Sequence, residues 1–134
     1  MNDVTELLQE TLELIETEEQ WTQGTFLHVF RNRMGDVTAQ KFCLIGAICH
    51  AAEVPNMIKS GECELVDKTF RHLAEYLDKK WLIEDNDEMK VFHSARYALM
   101  SFNDHKTTKH EHIEQLIVNA IENKESPDEK NCAH

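Results

Sequence analysis

The stretch TAQKFCLIGAICHAAE, residues 38–53, decides the fold because it is the most apolar part of the chain. Between Phe42 and Cys49 no polar side chain interrupts the run. A helix that is apolar on every face must be surrounded by other elements. The small residues Gly46 and Ala47 let neighbouring elements approach the backbone closely. We therefore expect a helix over 38–53 at the centre of the core.

Amphipathic helices are predicted around this central helix. Apolar residues recur with helical spacing in four further stretches, 3–17, 66–81, 91–102 and 113–121. The first begins with a capping-box-like pair, Asp3 and Glu6. The segment WTQGTFLHVFRNRMGDVT, residues 21–38, is less regular: it fits a short helix closing at Gly35 or a β-hairpin near 25–38, and its aromatic and branched residues favour the hairpin.

The pattern as a whole predicts a mainly α fold: a compact bundle of about five to six helices around one apolar helix. We expect residues 1–124 to form a single helical domain and 125–134, which have no apolar periodicity, to form a flexible C-terminal tail. Four cysteines without C-x-x-C spacing favour free thiols in a reducing compartment. With no apolar run of about 18 residues and an acidic start, a cytoplasmic protein is expected.

The charge balance predicts the kind of partner. Twenty-five acidic residues stand against 14 basic ones, for a formal net charge of −11. Such a surface repels nucleic acid and anionic membranes and suits a basic protein. On the first helix the polar face is a glutamate stripe, which we expect to bind that partner, made of Glu6, Glu10, Glu13 and Glu16. No cofactor is expected, and the oligomeric state is left open.

The stretch ALMSFNDHKTTKHEHIEQLI, residues 98–117, joins two predicted helices. Phe102 continues an apolar stripe, and Asn103 and Asp104 are residue types that favour turns. Thr108 and Glu111 have capping-box spacing, so the last helix is expected to begin at Thr108 or one residue earlier. Each polar residue at this junction therefore has a structural use without any chemistry.

Three segments together resemble the bacterial and phage family called domain of unknown function 6197. They are FCLIGAICHAAE (42–53), SFNDHKTTKHEHIEQLIVNAIE (101–122) and EQWTQG (19–24). The family pattern falls on Trp21, Gly24, Cys43, Leu44, Gly46, Ala47, Asn103, Asp104, Thr108, Ala120 and Ile121. This chain departs from it at Phe102, where Trp is commoner, and at HKTT, where a Gly-containing turn is usual. The resemblance implies a bacterial or phage origin and no particular activity.

Two kinds of catalytic site compete with a binding function. Cys43, His93 and Asn103 or Asp104 follow the order of papain-like thiol hydrolases, although an apolar run would raise the pKa of the Cys43 thiol. A metal site could use His105 and His110, but no H-x-x-x-H or H-E-x-x-H pair supports it. The residues favour a non-enzymatic protein-binding or inhibitory module, with small-ligand binding or a thiol- or metal-dependent hydrolase as the alternative.

Overall fold

A computed structural model describes residues 3–55, 62–86 and 89–122. The described part contains six helices and two antiparallel two-stranded sheets. The helices are α1 (Val4–Leu14), α2 (Leu44–Ala51), α3 (Glu64–Ala74), α4 (Lys79–Leu82), α5 (Ala95–Asp104) and α6 (His110–Ile121). The strands are β1 (Leu27–Arg31), β2 (Val37–Phe42), β3 (Ile83–Asn86) and β4 (Met89–Phe92). The fold is therefore dominated by helices, as expected, but it is a mixed fold rather than an all-α bundle.

Helix α2 lies at the centre of the core. All eight positions from Phe42 to Cys49 are buried, which confirms the prediction from the apolar run. Helix α1 packs against α2, α3 and α6, while α5 packs against α2 and α3. Burying the apolar faces of these helices against one another supplies the main favourable free energy of folding.

The central helix is shorter than its sequence suggests. The prediction of a helix over 38–53 was wrong in its first turns, because 37–42 form strand β2 and the helix begins at Leu44. Cys43, with extended backbone angles, is the N-cap residue. Strand β2 pairs with β1 from Leu27 opposite Phe42, and these cross-strand bonds outweigh the helical propensity of an Ala-Gln-Lys segment.

The irregular segment after α1 adopts the extended conformation that was preferred for it. Its hairpin spans 27–42 rather than 25–38, and a bulge lies between Phe30 and Arg31. Gly35 turns the chain with φ +85°, a left-handed conformation that glycine adopts without strain. A short 3-10 turn, Glu18–Gln20, joins α1 to this segment.

Two other helix predictions were too long. The stretch 66–81 divides into α3 and the four-residue α4. The stretch 91–102 begins in strand β4, and Phe92 is 72% exposed instead of continuing a buried stripe. Ile83 pairs with Phe92 across the second hairpin. The branched and aromatic residues Ile83, Val91 and Phe92 favour strands there, and the helical interpretation of 91–102 missed this.

The last helix begins at His110, later than the predicted start at Thr108. Thr108 is instead buried before the helix, and the backbone N–H of Lys109 donates to Nδ1 of His112 at 2.9 Å. The predicted tail, 125–134, lies outside the described residues. Among the helices of the described ranges, none combines the length and apolarity that crossing a bilayer requires.

Candidate functional site

The family-like segments converge on the side chain of Asn103, which is completely buried. Its Oδ1 accepts hydrogen bonds from the indole Nε1 of Trp21 at 2.7 Å and the backbone N–H of Leu44 at 3.0 Å. Its Nδ2 donates to the carbonyl oxygen of Thr22 at 3.2 Å and to Oδ1 of Asp104 at 2.8 Å. We call these four bonds the Asn103 network. They occupy both donors and both acceptor sites of one amide group.

Asp104 extends the network to the loop before β1. Its Oδ1 also accepts the backbone N–H of Gly24 at 2.9 Å. Gly24 has φ +82°, so the loop turns there in a conformation that other residues rarely adopt. Gln23, beside it, donates through Nε2 to the carbonyl oxygens of Asn103 and His105 at 2.8 and 2.9 Å. Carbonyls at a helix C-terminus lack partners within the helix, so Gln23 caps α5 from a distant segment.

Gly46 explains how the same loop packs against α2. A Cβ at this position would collide with the carbonyl oxygen of Phe26 and lie 2.8 Å from its carbonyl carbon. That Phe26 oxygen accepts the backbone N–H of Cys43 at 3.2 Å. The close approach that was expected of Gly46 is thus made by the backbone just before β1.

Cys43 is positioned as a cap rather than as a nucleophile. Its Sγ accepts the backbone N–H of Gly46 at 3.2 Å, and the residue is 4% exposed. Burial raises the pKa of the Cys43 thiol, and the nearby negative charge of Asp104 raises this pKa further. The bond from Gly46 acts in the opposite direction but is the smaller effect. A thiol that stays protonated is a poor nucleophile.

His93 lies between the second hairpin and α5. Its Nε2 is 3.5 Å from a carboxylate oxygen of Glu84, and its ring lies 4.6 Å from that of Tyr97. Its backbone N–H donates to the carbonyl oxygen of Leu82 at 2.8 Å. Of the hydrolase candidates, the structure brings Cys43 to the edge of the Asn103 network, through Leu44. The contacts of His93 are instead with Leu82, Glu84 and Tyr97, none of which belongs to the Asn103 network.

The two metal candidates make separate hydrogen bonds. Nδ1 of His105 lies 2.7 Å from the hydroxyl of Thr107, and its ring contacts Trp81 edge to face. Nε2 of His110 lies 2.6 Å from the carbonyl oxygen of Ile15, which ties α6 to the end of α1. Across the ranges that the structure describes, no three His, Cys, Asp or Glu side chains come together as metal ligands.

The predicted binding residues form an exposed strip that we call the acidic ridge: Glu6, Glu10, Glu13 and Glu16. The first three share one face of α1, opposite the buried Leu7 and Leu8. Glu16 lies just beyond the helix, and the exposed Glu18 and Glu19 continue the negative surface. Among the described residues, the ion pairs are made by other side chains.

Sequence reasoning missed three features of this region. The family pattern includes Trp21, but it does not reveal that the indole N–H of Trp21 donates to the buried amide of Asn103. No sequence signal marks Gln23 as a cap of a helix 80 residues away. The apolar side chains left exposed by the hairpins were also missed, because a helical interpretation of 91–102 placed Phe92 in the core. Among them, the hairpin of β1 and β2 exposes Phe30, Met34 and Val37.

The comparisons with known proteins agree with the resemblance in sequence. The model of a family described as a family of unknown function (DUF6197) matches residues 1–123. No curated protein and no solved structure matches the chain significantly. The family match covers most of the chain and includes every residue of the Asn103 network. This chain therefore belongs to the family of unknown function DUF6197.

Proposed function

We propose that this protein is a protein-binding module that docks a basic surface of a partner through its acidic ridge. The partner is a protein, not nucleic acid or a membrane, because the net charge of −11 repels polyanions. The cytoplasm of a bacterium, or of a host cell if the chain is phage-encoded, is the proposed compartment. Inhibition of the partner would follow where its basic surface is itself a binding site.

The proposal rests on the exposure of the ridge carboxylates and on their lack of ion pairs within the described part of the chain. Glu6, Glu10 and Glu13 are exposed on one face of α1, and no cation of the described residues forms an ion pair with them. These carboxylates are thus available to form ion pairs with another molecule. A patch of one sign of charge raises association rates with an oppositely charged partner and suppresses unsuitable partners.

The ridge is held on a rigid support. The apolar side of α1 buries Leu7, Leu8 and Thr11 against the other helices, and the Thr11 hydroxyl donates to the carbonyl oxygen of Leu7 at 2.8 Å. At the other end of the ridge, Ile15 is 1% exposed and its carbonyl oxygen contacts His110. Binding therefore orders only the glutamate side chains, which limits the entropy lost on docking.

The alternatives receive less support from the same region. A small-ligand site or hydrolase built on Cys43 and Asn103 would need polar groups that are available to a substrate. The Asn103 amide is fully used by protein partners, and burial raises the pKa of the Cys43 thiol. The described surface near the network therefore offers neither an activated nucleophile nor an available amide.

Capture of a partner from a lysate of the native host tests the proposal. We expect Glu6→Lys, Glu10→Lys, Glu13→Lys and Glu16→Lys, combined in one variant, to abolish capture at low salt while circular dichroism shows unchanged helicity. The control reverses two exposed glutamates elsewhere, Glu75→Lys at the C-cap of α3 and Glu111→Lys on α6, and should capture normally. Equal capture by the ridge variant and the wild type would contradict docking through the ridge.

The thiol alternative has its own test. Alkylation at neutral pH, followed by mass spectrometry, compares Cys43 with the less buried Cys63 in one sample. We expect Cys43 to react more slowly than Cys63, because burial shields the Cys43 sulfur from the reagent and raises its pKa. Faster alkylation of Cys43 would favour the hydrolase alternative over the binding module.

A further inference from the structure

The hairpin of β1 and β2, residues 27–42, has a charge opposite to that of the chain as a whole. It carries Arg31, Arg33 and Lys41 against one acidic residue, Asp36. We call it the basic hairpin. No other strand of the described residues pairs along it, and its contact with Trp21 is a single bridge at its base. All residues from 30 to 40 are exposed, so the outer part of the hairpin and its tip project from the helical core.

Apolar side chains lie among these cations. Phe30 is 40% exposed, Val37 is 47% exposed, and Met34 at the tip is 83% exposed. The ammonium group of Lys41 lies 5.9 Å from the centre of the Phe30 ring, so charge and apolar surface form one patch. Exposed apolar side chains next to cations are a feature of surfaces that bind other proteins.

The tip of the basic hairpin is held in one conformation before any partner binds. Oδ1 of Asn32 accepts the backbone N–H groups of Met34 at 2.8 Å and Asp36 at 3.0 Å. The guanidinium of Arg31 donates to the carbonyl oxygen of Gly35 at 2.8 Å. A tip with fixed geometry loses little conformational freedom on docking.

The charge of the hairpin requires an acidic occupant, and its surroundings favour a protein over a nucleic acid. At the hairpin base, Lys41 lines one groove together with Glu18 and Glu19. A nucleic acid following the hairpin would meet these carboxylates, whereas a short acidic protein element can stop before them. Three cations also neutralise few phosphates, so they supply little affinity for a nucleic acid.

We propose that the basic hairpin of one copy of this protein docks on the acidic ridge of a second copy. The inference rests on the proposed function, since it names one partner for the ridge. The two elements have opposite charges and similar lengths. Helix α1, with 11 residues, is about 16 Å long. Strand β1, with 5 residues, is about 17 Å long, so hairpin cations lie within reach of several ridge carboxylates.

The net charge of each copy gives the contact a characteristic salt dependence. At about 10 mM salt the screening length is about 30 Å, so two copies of charge −11 repel each other over their whole width. At about 0.1 M the screening length falls to about 10 Å, which removes this repulsion but leaves close pairs intact. At about 1 M the close pairs weaken too. Association between two copies is therefore greatest near physiological salt concentration. In the associated form, the ridge is covered and cannot bind other partners.

Sedimentation velocity of the full chain tests the proposal at these three salt concentrations, with protein concentrations up to about 1 mM. We expect reversible association that peaks at the middle one. The hairpin variant Arg33→Glu/Gln40→Glu leaves the Arg31 bond in place and should weaken association at least about tenfold. The ridge variant Glu10→Lys/Glu13→Lys should do the same. The control for the hairpin variant is Lys79→Glu/Lys106→Glu, which also makes the net charge more negative, but at exposed positions elsewhere. It should associate like the wild type.

Mixing the two variants makes the test specific. Each variant alone places like charges together at the changed positions, but a 1:1 mixture offers the native hairpin of the ridge variant to the native ridge of the hairpin variant. We expect the mixture to associate. A monomeric wild type at every salt concentration, a mixture that stays monomeric, or a hairpin variant that associates normally overturns the inference. Tight binding of a single-stranded oligonucleotide or anionic vesicles, lost in the hairpin variant, overturns it too.

Partner capture and sedimentation together distinguish a failure of this inference from a failure of the proposed function. A monomeric protein whose ridge still captures a basic host protein overturns the second-copy inference alone. Self-association without capture of any host protein supports the inference and leaves the second copy as the ridge's partner.

Discussion

The indole nitrogen of Trp21 donates a 2.7 Å hydrogen bond to the side chain of Asn103, which lies 82 residues further along the chain. This bond joins the loop after α1 to the C-terminal end of α5. Through the same oxygen, Asn103 also accepts the first backbone N–H of α2 at Leu44. One amide group therefore fixes the relative positions of three segments, and the family-like motif is a structural clamp.

Replacing Asn103 with Ala should destabilise the protein more than any single surface substitution. The change leaves the Trp21 and Leu44 N–H groups and the Thr22 carbonyl without their partner inside the protein. We expect the free energy of unfolding to fall by about 3 kcal/mol or more, measured by urea denaturation. Gln115→Ala, which removes an exposed hydrogen bond to Asn119, should cost less than about 1 kcal/mol. Similar losses in the two variants would contradict the clamp.

Replacing Gly46 with Ala should force α2 and the Phe26 backbone apart. The added Cβ would collide with the Phe26 carbonyl, and a backbone group cannot rotate away as a side chain does. We expect a loss of about 3 kcal/mol in the free energy of unfolding. The control is Gly35→Ala, where a Cβ meets nothing within 4 Å and only the positive φ is strained. That control should lose about 1 kcal/mol, and an equal loss in both would contradict a steric role for Gly46.

The buried thiol of Cys49 should make stability fall at alkaline pH. Burial raises its pKa from 9.0 to about 11, so between these values the folded protein keeps a proton that the unfolded chain releases. The unfolded state then binds fewer protons, and the free energy of unfolding falls by up to about 1.4 kcal/mol per pH unit. The stabilising effect is complete below pH 9 and is lost as pH approaches 11.

Urea denaturation between pH 8 and 10.5 measures this effect. Other groups titrate in the same range, so the informative quantity is the difference between wild type and Cys49→Ala. The alanine variant should lose stability from the cavity it creates, yet its free energy of unfolding should fall less steeply with pH. Parallel pH profiles for the two proteins would show that the thiol of Cys49 titrates normally in the folded state.

Neutralising the ridge should not weaken the fold. Glu10 and Glu13 are exposed, and the ion pairs of the described residues do not include them. Glu10→Gln/Glu13→Gln therefore removes repulsion in a chain of charge −11, and the free energy of unfolding should change by less than about 0.5 kcal/mol. In Glu64→Gln, which loses a 3.1 Å ion pair with Lys68, a small decrease of about 0.3 kcal/mol is expected. A large loss in the ridge variant would assign the glutamates to stability rather than binding.

The sequence by itself determined most of the buried residues and the approximate positions of the main helices. The run from Phe42 to Cys49 has no polar face, so it could only be covered, whatever its secondary structure. Regular apolar spacing likewise identified α1 and α6, because a helix that buries one face needs that spacing. The same reasoning assigned Gly46 to a close backbone contact, and the exposed glutamates follow from the opposite face of α1.

Only the tertiary structure decided where helix gives way to strand and what the motif residues contact. Residues 38–42 and 91–92 are compatible with helix or strand locally, and pairing with β1 and β3 selects the strand. The partners of Asn103 come from segments up to 82 residues away, so no local pattern contains them. Local propensity acts over a few residues, whereas hydrogen bonds between distant segments form only once packing has brought those segments together.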